Sequence, residues 1–144
     1  MPNRRIRNII RKQELLSVTP KTPVREAARQ MDARNVASAL VMEPGGRLLG
    51  IFTERDLLRR VVAKGRDPDK TLIADVMTAT PHTISPQATT LQAMRAMHEH
   101  KVRHLPVTDG ERAVGVLSIR DFLGDELIEF LNEQEMRERL WEEV

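Results

Sequence analysis

Two hydroxyls in this chain stand three residues ahead of two carboxylates. Thr53 precedes Asp56 in GIFTERD (residues 50–56), and Ser118 precedes Asp121 in GVLSIRD (115–121). Each stretch opens on a glycine and two apolar residues. A hydroxyl at the point where a strand ends and a helix starts caps that helix. An acid three residues on closes something near a capping box, at about 1 kcal/mol per cap. The same geometry suits a nucleotide. A helix start offers unpaired N–H groups and a partial positive charge to a phosphate. The hydroxyl adds a donor, and a carboxylate accepts from two adjacent ribose hydroxyls. Glycine on the strand lets a flat ring or a backbone come close. On spacing alone, capping comes first.

The elements that position these groups also recur. Met31 laid on Met97 brings Val36 onto Val102, Val41 onto Val107 and Thr19-Pro20 onto Ser85-Pro86. After one extra residue in PGGR relative to DGER, Gly50 falls on Gly115 and Asp56 on Asp121. The self-similarity divides the chain into two units, residues 13–64 and 79–124. Residues 1–12 form a basic head, residues 65–78 a linker ending in DVMT, and residues 125–144 an acidic tail. Each unit reads β-α-β-β-α. An apolar pair or single (Leu15-Leu16; Ile84) runs into a Thr/Ser-Pro turn from which a helix is expected to start. Val24, Ala27, Ala28 and Met31, like Ala93, Met94 and Met97, follow helical spacing. Two short apolar strands flank Gly45-Gly46 or Asp109-Gly110. A second helix is expected from Asp56 to Val62, and from Asp121 on into the tail. The tail's stripe of Leu127, Phe130, Leu131, Met136, Leu140 and Val144 slips between 131 and 136, and one face is apolar enough to pack on its own domain or on a second copy.

At 144 residues, with 40% hydrophobic and 31% charged residues, the chain has the composition of a soluble globular domain able to bury a core. No apolar run approaches the ~20 residues of a membrane span. No signal peptide is expected, because the segment after the charged start is too polar. Zero cysteines exclude disulfides, thiolate metal sites and a cysteine nucleophile, and are compatible with a reducing cytoplasm. The net charge of +2 hides an asymmetry. Arg4, Arg5, Arg7, Arg11 and Lys12 face no acid within residues 1–12, whereas acids dominate residues 125–144. The two ends can pair, within one chain or across a dimer, or remain solvated.

GIFTERD and GVLSIRD, DVMT at 75–78, the SVTP and TISP turns and HKVRHLPV at 100–107 together resemble a tandem pair of cystathionine-β-synthase (CBS) domains, a Bateman module, over about residues 8–124. The resemblance implies an α+β, or α/β, fold of two β-α-β-β-α repeats packed sheet to sheet about a pseudo-twofold axis, with a C-terminal helical extension. It implies two clefts for an adenosine-containing ligand: AMP, ADP, ATP, S-adenosylmethionine or NADH. It further implies association into homodimeric discs and regulation of some other protein without chemistry of its own. With no enzyme or channel domain attached in the sequence, the expected module is free-standing and cytoplasmic.

The family's clefts are crossed. Carried over, cleft one combines Thr53 and Asp56 with Thr83, Ile84, Arg103 and His104. Cleft two combines Ser118 and Asp121 with Ser17, Val18, Val36 and Ala37. Arg55 and Arg120, at the helix starts, are further contacts. Arg103 and His104 have only Ala37 and Ser38 as counterparts, so cleft one is expected to prefer a phosphorylated ligand, and cleft two has only Arg120 nearby. Repeat one also lacks the proline of the usual strand, reading Ala39-Leu40-Val41-Met42.

Two rival functions remain. In the first, the clefts are empty and the protein is a dimeric interaction scaffold. In the second, RRIRNIIRK binds nucleic acid as a basic amphipathic segment; the near-neutral total and the absence of tyrosine argue against it. No catalytic constellation is present. His100 and His104 have metal-ligand spacing only on a continuous helix, and Lys101-Val102-Arg103 reads as a crossing from helix to strand, so no metal site is expected.

Overall fold

The computed structural model describes residues 3–142. A short helix α1 (Ile6–Ile10) comes first, followed by β1 (Ser17–Val18), α2 (Val24–Ala33), β2 (Ser38–Met42) and β3 (Leu48–Thr53). Helix α3 (Glu54–Asp56) continues as π-helix through Leu57–Val62. The second half holds α4 (Ile73–Val76), β4 (Thr78–Ala79), α5 (Thr90–His100), β5 (His104–Asp109) and β6 (Arg112–Ser118). A 3₁₀ turn, Ile119–Asp121, precedes the long α6 (Gly124–Glu142). One sheet has the order β1-β2-β3-β4, with β1 parallel to β2 and the other pairs antiparallel. In the second repeat β5 and β6 pair, and the first strand is reduced to Ile84, which bonds to Pro106 and Thr108 through its backbone at 3.0 Å each. The two β-α-β-β-α repeats meet sheet to sheet across Leu40, Ile51 and Ala113, flanked by Leu15, Met42, Leu48 and Val116. The hairpin ends are joined by Leu48 N–H to Glu111 C=O at 3.0 Å and Ala113 N–H to Gly46 C=O at 2.9 Å.

Each repeat is completed by the helix that precedes the other. Ile73 and Val76 of α4 sit in the core of repeat one with Val24, Met31, Val41 and Phe52. Ile6 and Ile10 of α1 sit in the core of repeat two with Met94, Met97, Leu105 and Leu117. The backbone ties match: Ile73 and Ala74 donate to Thr22 and Pro20, while Ile6 and Arg7 donate to Ala88 and Pro86, all at 2.9–3.0 Å. The basic head is therefore, through residues 6–10, a wall of the second repeat. Its charge does pair with the tail. Arg4 donates to both carboxylate oxygens of buried Glu126 at 2.8 and 3.2 Å, and to the Asp121 carbonyl at 2.9 Å.

Several expected boundaries move. The Thr/Ser-Pro turns form, but α2 starts after Pro23 and α5 after Thr89, each four residues inside the chain from its turn-opening hydroxyl. Thr89 accepts from Gln92 N–H in a capping box, which satisfies the orphaned donors better than the earlier Ser85 can. The second helix of repeat two does not run into the tail. Phe122 turns extended (φ −83°, ψ 143°) and buries its ring in the core, and the chain becomes helical again only at Gly124. Helix α6 is then continuous through the slip in its apolar stripe. Phe130 and Glu133 face α5, whereas Met136 and Leu140 stand exposed. Val144 lies outside the described residues.

Candidate functional site

Thr53 ends β3 with extended backbone, so its hydroxyl accepts the Asp56 N–H at 3.3 Å. Asp56 Oδ2 accepts in return from Thr53 N–H at 3.0 Å and from the Thr53 hydroxyl at 3.2 Å. Its Oδ1 stands 3.6 Å from Arg60 Nε. Ser118 and Asp121 repeat the box: Asp121 Oδ2 accepts from Ser118 N–H at 2.7 Å, and the Ser118 hydroxyl accepts from Arg120 N–H at 3.3 Å. Capping is thus present in both repeats.

The glycines answer to protein, not to a ligand as their sequence position suggested. A β-carbon on Gly50 would stand 2.7 Å from the Thr78 carbonyl and 2.8 Å from Met77 Sδ. One on Gly115 would stand 2.9 Å from Ile10. Each glycine admits the segment borrowed from ahead of the other repeat.

Two cavities open beside the capped turns. The larger, about 1150 Å³, brings together Thr53, Arg55 and Asp56 with Arg103 and His104, as expected for cleft one. Thr83 and Ile84 are not on its wall; Pro81 and His82 are, because Ile84 turns inward to bridge Val107. Arg59, Arg60 and Lys101 also line it, giving five cations against Glu54 and Asp56. The smaller, about 380 Å³, holds Val36, Ala37, Ser118 and Arg120 with Met31, Asp32 and Asn35. Ser17, Val18 and Asp121 do not line it: Val18 is in the core of repeat one, and the Asp121 carboxylate is taken by its own turn. Arg103, His104 and Glu54 line both cavities, so Arg120 is not the only cation near the smaller.

Asn35 and Lys101 were missed in sequence and are equivalent. Each ends its helix in the left-handed region (φ 53° and 55°) and thereby turns the following residues toward a cavity. Asparagine adopts that conformation readily and lysine does not, so Lys101 holds local strain at a cavity wall. Asn35 carried a readable signal, an αL-tolerant residue after a helical run; Arg59 and Arg60 carried none beyond their place on the helix.

His104 is held below the ordinary histidine range, first by burial, with Arg120 and Arg103 pushing the same way and Glu54 and Asp121 opposing. It is neutral at pH 7. His82 stacks on His100 with ring centroids 3.5 Å apart, and His98 packs edge-on against Phe130. His100 closes α5 and His104 opens β5, with the left-handed Lys101 between them. Among the described residues no group of histidines and acids is arranged to hold a metal ion. No helix among them is long and apolar enough to cross a membrane.

A pair of β-α-β-β-α repeats, sheet to sheet, with paired hydroxyl-acid turns beside two cavities, defines a two-repeat module with two clefts. The chain belongs to the CBS-domain family, whose model matches residues 6–63 and 73–126. It is 35% identical over 116 residues to the CBS domain-containing protein CBSCBSPB3 of Arabidopsis thaliana, covering 81% of this chain and 21% of that one. It is 32% identical over 108 residues to the CBS domain-containing protein YhcV of Bacillus subtilis, covering 75% and 76%. A solved structure of the CBS domain protein PAE2072 from Pyrobaculum aerophilum, complexed with AMP, is 28% identical. It superposes with a TM-score of 0.80 over 90% of this chain and 99% of that one. The chain spans about a fifth of the length of CBSCBSPB3 and of CBSCBSPB2, a second Arabidopsis thaliana relative.

Proposed function

We propose that this CBS pair is a regulatory sensor of an adenosine nucleotide, held in the larger cleft and acting without chemistry of its own. The observation that carries the reading is the cleft of about 1150 Å³ in which Thr53, Asp56 and a half-ring of cations converge. The cations suit phosphates: a guanidinium meets phosphate oxygens with paired, charge-assisted hydrogen bonds. Asp56 Oδ1, the oxygen its own turn leaves open, would accept a ribose hydroxyl beside Arg60 Nε, which stands 3.6 Å from it. The AMP complex of PAE2072 supports the same ligand class. ADP, ATP, S-adenosylmethionine and NADH are the other candidates, and the five cations favour the phosphorylated ones. Filling the cleft changes the angle between the repeats, or between two protomers of a homodimer, by as much as the ligand's affinities for the two arrangements differ.

The satisfied capping boxes favour a second reading, a ligand-free interaction scaffold in which Thr53 and Asp56 only start a helix. Binding of nucleic acid through residues 4–12 has less support, because Ile6 and Ile10 are buried and Arg4 is paired. Isothermal titration of the protein with these five ligands, beside Asp56→Ala and Asp121→Ala, separates the first two. Micromolar binding lost in Asp56→Ala supports the sensor. No binding, with both variants merely melting earlier, supports the scaffold.

A further inference from the structure

The wall between the two cavities is a single set of side chains: Arg103, His104 and Glu54 line both. Arg103 is exposed, and among the described residues its guanidinium has neither a hydrogen bond nor an ion pair. A guanidinium is one planar fork with a single positive charge, and a phosphate that engages it bidentately leaves no unbalanced charge to draw a second phosphate to the same wall. Beyond that fork the shared wall holds only the carboxylate of Glu54 and the neutral ring of His104. Private cations are unequally divided. The larger cleft keeps Arg55, Arg59, Arg60 and Lys101 for itself, whereas the smaller has Arg120 set against Asp32.

We infer that the clefts exclude each other's phosphates: a phosphorylated nucleoside enters the larger cleft first, takes Arg103, and leaves the smaller cleft to nucleosides without phosphate. The inference rests on the nucleotide reading above and deepens it. With Arg103 engaged, a second phosphate in the smaller cleft faces Glu54, Asp32 and the first phosphate with Arg120 alone to oppose them. An uncharged adenosine there meets none of that repulsion. The module would then report a ratio of two ligands, not one concentration.

The test is titration calorimetry with AMP and with adenosine. In the unmodified protein one AMP binds tightly and a second at least tenfold more weakly, while adenosine binds the smaller cleft equally well whether the larger cleft is empty or filled by one equivalent of AMP. Unequal sites alone would give two steps, so coupling is read by closing the larger cleft. Asp56→Asn removes its carboxylate charge, and Ala79→Trp fills its floor with a bulky ring. In both, AMP should bind the smaller cleft at least tenfold more tightly than the unmodified protein's second step. Should these variants not fold, Arg103→Gln serves, since that side chain makes no hydrogen bond or ion pair among the described residues; it should narrow the gap between the two AMP affinities at least threefold, leaving the difference that the private cations set. An AMP affinity for the smaller cleft that is the same with the larger cleft filled or closed, or an unchanged gap in Arg103→Gln, overturns the coupling. Absence of binding by either ligand to the unmodified protein overturns the nucleotide reading, and the inference with it.

Discussion

On the nucleotide reading, His104 would report on what enters the clefts. Burial keeps its imidazole neutral and its pKa below the usual histidine range. A phosphate placed on the shared wall favours the charged form and raises that pKa. Binding then takes up a proton, so affinity for a phosphorylated ligand strengthens as pH falls into the histidine range. Proton NMR of the ring should show the His104 titration move upward on adding AMP and stay put on adding adenosine. At the same scale, the two strand glycines make a contrast. In Gly115→Ala the new methyl meets the branched side chain of Ile10, its Cβ included, and overpacking of this kind costs about 1–3 kcal/mol. In Gly50→Ala it meets a backbone carbonyl, which no side-chain rotation relieves, so the loss by chemical denaturation should be the larger. Pairing Gly115→Ala with Ile10→Ala should recover part of the first loss and reveal the contact.

Helix α1 and the start of α6 are held by one ion pair, between the partly buried Arg4 and the fully buried Glu126. Burial works to raise the Glu126 pKa, but hydrogen bonds from Arg4, the Leu123 N–H and Thr90, with the Arg4 charge, bring it down to about 2. A carboxyl lowered from 4.5 to about 2 contributes about 3 kcal/mol above about pH 5, lost as pH falls through the interval between those values. Urea denaturation should therefore show the protein weakening between about pH 5 and about pH 2. Glu126→Gln should show a shallower acid limb. Arg4→Met, which strands the buried carboxylate, should cost about 3–5 kcal/mol at neutral pH. The element scale is also where sequence reading ran short. The repeat identified α2, both hairpins and the two hydroxyl-acid turns, because those patterns are local. It did not show that Ile6 and Ile10 complete repeat two as Ile73 and Val76 complete repeat one, since IRNII and IADV share too few residues to align.

For the whole molecule, the repeats meet on a small apolar layer around Leu40, Ile51 and Ala113, with the cavities at its rim. A ligand bridging that rim stabilises the folded state by mass action, about 2.7 kcal/mol at a concentration about 100 times its Kd. For a chain of this size that is a rise of roughly 5–10 °C in Tm. Thermal melts with AMP should show it, and Asp56→Ala should abolish it; an equal rise in that variant would place the ligand elsewhere.

The sequence by itself determined the twofold repeat, the order of elements within each unit, and the pairing of Thr53 with Asp56 and Ser118 with Asp121, because each arises from spacing over a few residues. It pointed to unequal clefts through Arg103 and His104 against Ala37 and Ser38 in the alignment, but those two line both cavities, and the inequality lies in Arg55, Arg59, Arg60 and Lys101. Only the tertiary structure decided the rest. Lys101 and Asn35 reach a cavity where their helices end, Arg59 and Arg60 reach one from the π-helix and His82 from the segment after β4, while Ile84, Ser17 and Val18 are held in strand pairing and Thr83 is not on a wall. The shared wall is the clearest case. Glu54 lies far along the chain from Arg103, and the two line both cavities because two sheets pack face to face, a relation no local pattern encodes.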